Sequence, residues 1–190
     1  TFSSARPALL LLLLATIWSS SFGFIKVGVE TIPPMTLAAV RIIMAALLLY
    51  GVARFKGMTI PKDKKFWWLA FLIGIFGNGL PFTLIGWGEQ TIDSGLAAIL
   101  MSVMPLATIL LLHVFSSDER LTLAKMSGIV VGFCGVVVLV GPEALKGLGG
   151  DAVRQIAVAC GAMCYAIATT IAKNVPRLHP AVSGTAVMTM

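Results

Sequence analysis

Five apolar stretches, each long enough to cross a bilayer, follow one another from Pro7 to about Val140, and then the pattern of the first begins again. Trp18 and Lys26, eight residues apart, are answered by Tyr165 and Lys173 at the same separation. The offset is 173 − 26 = 147, and the same shift carries Pro33 onto Pro180, Ala39 onto Ala186 and Val40 onto Val187. The repeat unit therefore holds five spans, an odd number, so a second copy must insert upside down. Inverted repeats build two half-sites around one central cavity, an arrangement found in many transporters. The pattern predicts an all-α fold, a polytopic transmembrane helical bundle of five-helix inverted repeats, with six full spans and part of a seventh present. Residues 7–142 form the first repeat in this reading, and residues 152–190 open the second.

Composition agrees with a bilayer as the solvent. The chain is 58% hydrophobic and 12% charged, against about 25% charged in an average soluble domain. A globular protein of 190 residues has no core large enough to hide that surface, whereas each spanning helix needs about 20 apolar residues. Alternating strands of about ten residues, the mark of an outer-membrane barrel, are absent. The net charge of +6 raises nucleic acid as a partner, but the basic residues are sorted by loop. With the N-terminus cytoplasmic, Arg6, Arg54, Lys56, Lys62, Lys64, Lys65, Arg120, Lys125, Lys173 and Arg177 fall on the inner side, and Lys146 and Arg154 on the outer. Lys26 and Arg41 lie within or near the ends of spans. Ten against two is the positive-inside bias, and it predicts a cytoplasmic N-terminus with no patch left for DNA or RNA.

The spans are expected at about Pro7–Val29, Met35–Ala53, Phe66–Gly88, after Asp93 to Phe115, Leu121–Val140 and Ala152–Ala172. The chain starts with Thr1 rather than Met and stops at Met190 in a seventh apolar segment, so a complete second repeat predicts roughly a hundred further residues. No cleavable signal peptide is expected, because the first apolar run is too long and lacks a small-residue cleavage site.

Span 3 holds Gly74, Gly77, Asn78, Gly79, Pro81 and Gly86. Proline at 81 cannot donate to the carbonyl of Gly77, and the glycines lower the cost of bending. Either this is a broken helix lining a cavity, with Asn78 supplying a donor and an acceptor, or the kink serves close packing alone. Span 4 carries Pro105, which frees the carbonyl of Met101, and paired interruptions in neighbouring spans point to a transporter site. Trp18, Ser19, Ser20 and Ser21 sit near the middle of span 1. A central tryptophan suggests a face turned to a cavity, while the serines can equally satisfy their hydroxyls on carbonyls one turn back. Trp18, Ser20, Asn78, Gly79, Pro81 and Pro105 are the cavity or hinge candidates.

Lys26, Arg41 and Glu89 are candidate charge partners for substrate or for one another. Lys26 and Glu30 are spaced to pair at the outer end of span 1. Arg41 lies about two turns inside span 2, where charge is costly and faces the bundle interior. It either binds an anionic group of a substrate or ties helices through Glu89 or a carbonyl. His113 reads as a hydrogen-bonded interfacial residue rather than a proton relay. Gly128 and Gly132 form a GxxxG motif that allows close helix approach, either within the chain or across a homodimer. Cys134, Cys160 and Cys164 lie in apolar stretches without His or carboxylate neighbours and read as packing residues, and no metal or cofactor is expected.

The sequence resembles the EamA domain of the drug/metabolite transporter superfamily. The resemblance rests on Ala15-Thr16-Ile17-Trp18-Ser19-Ser20-Ser21-Phe22 with Lys26, and on Pro34 and Leu37-Ala38-Ala39-Val40-Arg41. It continues through Pro105 and through Glu119-Arg120-Leu121 followed by Gly128-Ile129 and Gly135-Val136-Val137. It covers residues from about 10 to 142 and the opening of a second domain. The resemblance implies ten spans, both termini cytoplasmic, and a central cavity bounded by spans 3 and 4 and their counterparts. It also implies transport of amino acids, other metabolites, nucleotide sugars or drugs. The chain departs from the four-span multidrug members in lacking a carboxylate in the middle of span 1, which speaks against proton antiport of cationic drugs.

The expected function is a permease or exporter of small metabolites, amino acids or related compounds, working by alternating access with a small-molecule substrate and the lipid bilayer as partners. A multidrug or cationic-compound efflux protein is the alternative, and a non-transporting receptor or assembly protein a third. An intramembrane enzyme would need an acid–base or metal cluster at depth, yet the only histidines are His113 and His179 and the acidic residues lie at or beyond span ends.

Overall fold

The computed structural model describes residues 5–59, 61–115, 122–175 and 178–189. Glu119-Arg120-Leu121, Arg177 and the start of the fifth expected span lie outside the described residues. In chain order the helices are α1 (Ala5–Gly28), α2 (Pro34–Phe55), α3 (Lys64–Gly74), α4 (Leu80–Gly88), α5 (Ser94–Met101), α6 (Met104–Phe115), α7 (Leu123–Val140), α8 (Ala152–Ala172) and α9 (Pro180–Thr189). A π-helical turn, Ile75–Gly79, joins α3 to α4, and a 3₁₀ turn, Pro142–Gly147, follows α7.

Among the described residues, five segments are long and apolar enough to cross a membrane: Ala8–Gly28, Pro34–Phe55, Lys64–Gly88, Ser94–Phe115 and Ala152–Ala172. The apolar stretch Leu123–Val138 of α7 is shorter.

Local chemistry sets the ends. Asp63, Asp93, Thr122 and Asp151 cap α3, α5, α7 and α8, each side chain accepting a hydrogen bond from a backbone N–H of the first turn. Such caps satisfy donors that have no partner within the helix. Pro34 opens α2, where its missing N–H costs nothing. Gly141, at φ +95°, ends α7 in a conformation that L side chains avoid.

The π turn absorbs the proline that interrupts span 3. The backbone N–H of Leu80 reaches the carbonyl of Ile75, one residue further back than in an α-helix. Lys64–Gly88 therefore runs as one segment with a widened turn at its centre. Span 4 breaks more openly. The Ser102 hydroxyl donates to the carbonyl of Ile99 at 2.6 Å, and α6 restarts at Met104 with Pro105 in its first turn.

α8 is the most buried of the long helices and packs against α3 to α6. The crossing with α4 is close because Gly88 meets Val158 and Gly161 meets Ile85 and Pro81. α2 packs against α9 and α4. At one end of the bundle Phe66 and Ala70 of α3 meet Ala186 of α9, with Val175 and Leu178 against them. At the other, Ile92, Leu96 and Ala97 pack on Val158. A Cβ placed on Gly128 or Gly132 would meet nothing, so among the described residues the GxxxG face of α7 has no partner within the chain.

Candidate functional site

A cavity of about 150 Å³ lies between α1, α2, α4 and α8. From α1 it is lined by Ile17, Trp18, Ser21, Phe22 and Ile25, residues that share one face at spacings of three and four. α4 adds Phe82 and Ile85, Met101 comes from the end of α5, and Tyr165 comes from α8. Arg41 of α2 is its one charged lining residue. The guanidinium donates to the Ser21 hydroxyl at 3.0 Å and sits 4.4 Å from the centre of the Phe82 ring. Arg41 lies about 10 Å along the helix axis from Pro34, well inside the α2 segment. Trp18 and Tyr165 meet edge to face, ring centres 6.0 Å apart.

Chemically this is an apolar, aromatic chamber with a single fixed cation. A guanidinium in such a place is poorly hydrated, and its strong partners are carboxylates and phosphates bound through two N–H groups at once. One hydroxyl and one ring leave further N–H groups for an incoming anion.

Beyond Ile85, at the end of α4, stands a second charged constellation. The Lys26 ammonium donates to the backbone carbonyls of Glu89 at 2.6 Å and of Ile92 at 3.0 Å, tying α1 to the turn between α4 and α5. The Glu89 side chain is completely buried, and neither carboxylate oxygen makes a well-formed hydrogen bond. It lies just outside the Lys64–Gly88 segment, and burial raises its pKa from 4.5 to about 7 against the nearby Ser94 hydroxyl and the opposing charges of Lys26 and Arg41. Arg154 of α8 lies 3.9 Å from the centre of the Trp87 ring and donates to Gln90 at 2.8 Å and to the Trp87 carbonyl.

The sequence pattern of the EamA-like transporter family matches residues 5–141, most of the chain. The chain belongs to the EamA-like transporter family. Relatives of this EamA-family chain include an uncharacterized transporter of Archaeoglobus fulgidus, 32% identical over 71% of this chain and 48% of that protein. The uncharacterized inner membrane transporter YedA of Escherichia coli is 31% identical over 65% of this chain and 40% of its own length. A probable terminal-alkyne amino-acid exporter of Streptantibioticus cattleyicolor is 30% identical over 68% of this chain and 43% of that protein. The EamA-family chain thus spans about half the length of the curated relatives it matches, or somewhat less. No solved structure matches it.

Among the residues singled out from sequence in this EamA-family chain, the structure brings Trp18 and Arg41 to the cavity. Ser20 is exposed and donates to the carbonyl of Ile17 one turn back, while its neighbour Ser21 faces the cavity. Asn78 is buried in the π turn, and Gly79 lies beside it, its carbonyl accepting from Thr83 at 2.9 Å. Pro81 is buried against Gly161 of α8. Pro105 is exposed in the first turn of α6. None of Asn78, Gly79, Pro81 and Pro105 lines this cavity. Lys26 sends its ammonium to the α4–α5 turn rather than to Glu30. Phe82, Ile85 and Met101 were missed as lining residues, because apolar residues in an apolar span carry no local signal of which face is hollow. Tyr165 carried one signal, its place 147 residues after Trp18.

Proposed function

We propose that this chain forms the substrate-binding half of a permease that moves small carboxylate-bearing metabolites, amino acids or related compounds, across a bacterial inner membrane by alternating access. The observation that carries the reading is Arg41, a lone guanidinium in an apolar chamber at mid-helix depth, flanked by Trp18 and Tyr165. A carboxylate would bind the guanidinium while an apolar side chain lies against Phe22, Ile25, Ile85 and the rings. The amino-acid exporter named among the relatives supports the same substrate class.

Cation efflux is the weaker reading, because no carboxylate lines the cavity and Arg41 repels a cationic drug. Two inverted repeats, residues 7–142 and 152–190, are part of the proposal. The two aromatic rings that meet at the cavity are equivalent under the 147-residue shift, as expected of residues close to a two-fold axis in the membrane plane. Six crossings follow if α7 spans, and the loop charges support a cytoplasmic N-terminus.

Proteoliposomes preloaded with an amino-acid mixture provide the test, with labelled amino acids or ethidium outside and with or without a pH gradient. The expected result is amino-acid counterflow in the wild type that Arg41→Gln strongly weakens at equal protein incorporation. Ethidium movement without amino-acid exchange, or wild-type exchange by Arg41→Gln, would overturn the reading.

A further inference from the structure

Among the described residues, the carboxylate of Glu89 is buried without a well-formed hydrogen bond. It is 0% exposed, and the Ser94 hydroxyl that faces its two oxygens makes no well-formed hydrogen bond with them, a costly state for an ionised group. Lys26, the nearest cation on α1, spends its ammonium on the carbonyls of Glu89 and Ile92 instead of on that carboxylate. This is the arrangement a neutral, protonated carboxyl would leave. Phe82 and Ile85 share a face of α4 at i and i+3, and Glu89, which caps the helix, continues it at i+7. Phe82 lies under Arg41, Ile85 lines the cavity, and Glu89 follows about 6 Å further along the axis.

We propose that Glu89 is a proton-binding site behind the cavity wall, and that proton binding there and carboxylate binding at Arg41 favour one another. The second half of the proposal rests on the functional reading above. With Glu89 neutral, Lys26 and Arg41 both present uncompensated charge and the cavity attracts an anion. With Glu89 ionised, its charge opposes an anion at Arg41 and draws Lys26 from the carbonyls that hold α1 to the turn. Coupling of two bound ligands is reciprocal, so an anion in the cavity must tighten the proton on Glu89. The other charges about the site are Asp93, in the same turn, which also favours the proton, and Arg154 of α8, which is engaged by Trp87 and Gln90. Burial places the titration near neutrality, at about 7.

The test is infrared titration of the purified protein in lipid, from pH 5 to pH 9, with benzoate or chloride at equal ionic strength. The wild type should show a protonated-carboxyl band whose protonated fraction falls about tenfold between pH 6 and pH 8. The band should vanish in Glu89→Gln, persist with a moved midpoint in Glu89→Asp, and move to higher pH in Lys26→Met. Benzoate should raise the wild-type midpoint and leave that of Arg41→Gln in place. A band missing from the wild type, or unchanged in Glu89→Gln, overturns the proton site. A midpoint indifferent to benzoate overturns the linkage. None of these readouts needs transport, so failure of amino-acid counterflow would sink the functional reading separately.

Discussion

Arg41 shows how one residue concentrates both cost and purpose. Its guanidinium has one hydroxyl and one aromatic face as partners and no acid in the cavity. Hydrogen bonds to charged groups are worth about 1.5–3 kcal/mol, so Arg41→Gln should raise the half-saturation for amino-acid counterflow by about ten- to a hundredfold. Arg41→Lys should recover part of that loss only, because an ammonium keeps the charge but not the planar fork or the stacking on Phe82. Equal half-saturation in all three proteins, at matched membrane abundance, would assign Arg41 to scaffolding. Glu89 gives a pH signature. Its folded-state pKa, about 7, lies above the ordinary 4.5, so the native state keeps a proton that the unfolded chain releases. The stability this confers is complete below pH 4.5 and is lost as pH rises through about 7. Thermal midpoints of wild type minus Glu89→Gln, measured in detergent, should therefore fall between pH 5 and pH 8, and a flat difference would contradict the burial argument. Arg41 and Trp18 were legible from sequence because a charge and an indole stand out at mid-span. Glu89 was legible as a candidate partner for Arg41 near a span end; its burial behind the cavity depends on Lys26 turning to the backbone, which no spacing rule encodes.

At the scale of elements, the α4–α8 crossing positions Phe82, Ile85 and Tyr165 around one space, and it rests on missing side chains. A Cβ on Gly88 would stand 2.3 Å from a methyl of Val158 and 3.2 Å from the carbonyl of Arg154. Val158 is fully buried, and a β-branched side chain has few rotamers with which to move aside. Gly88→Ala should therefore cost about 1–3 kcal/mol by overpacking, visible as a lower thermal midpoint. Adding Val158→Ala should restore part of it, and a double variant no more stable than Gly88→Ala would show that the backbone contact with Arg154 dominates. Asp63, Asp93 and Asp151 each precede a helix and cap it, a signal in the residue type that hydropathy alone does not use. The π turn was not legible in that detail. Proline and glycine at 81, 79 and 77 announced an interruption, but whether the helix breaks or widens depends on contacts across helices, here Gly77 against Ala168.

The whole molecule sorts its charge by end. The first turn of α3, near Lys62, and the residues just after α8, near Lys173, share one end through the Phe66, Val175 and Leu178 contacts. Lys146 and Arg154 belong to the other, where Thr91 of the α4–α5 turn donates to Asp151 at 2.9 Å. α7 ends at this second end, with Val140 packed where a Cβ on Gly95 would sit. Its 18 residues measure about 27 Å, close to the hydrocarbon thickness of about 30 Å, so a crossing is feasible with flanking residues reaching the interfaces. If α7 crosses, α8 begins on the side opposite α1 and the second repeat is inverted. Single cysteines test this in a protein whose Cys134, Cys160 and Cys164 are replaced by alanine. Lys62→Cys and Lys173→Cys should be labelled by an impermeant maleimide from the cytoplasmic side only, and Lys146→Cys from the opposite side only. Labelling of positions 62 and 173 from opposite sides would remove the inverted repeat. With it would go the argument that Trp18 and Tyr165 meet because symmetry brings them together, leaving the aromatic pair an accident of packing.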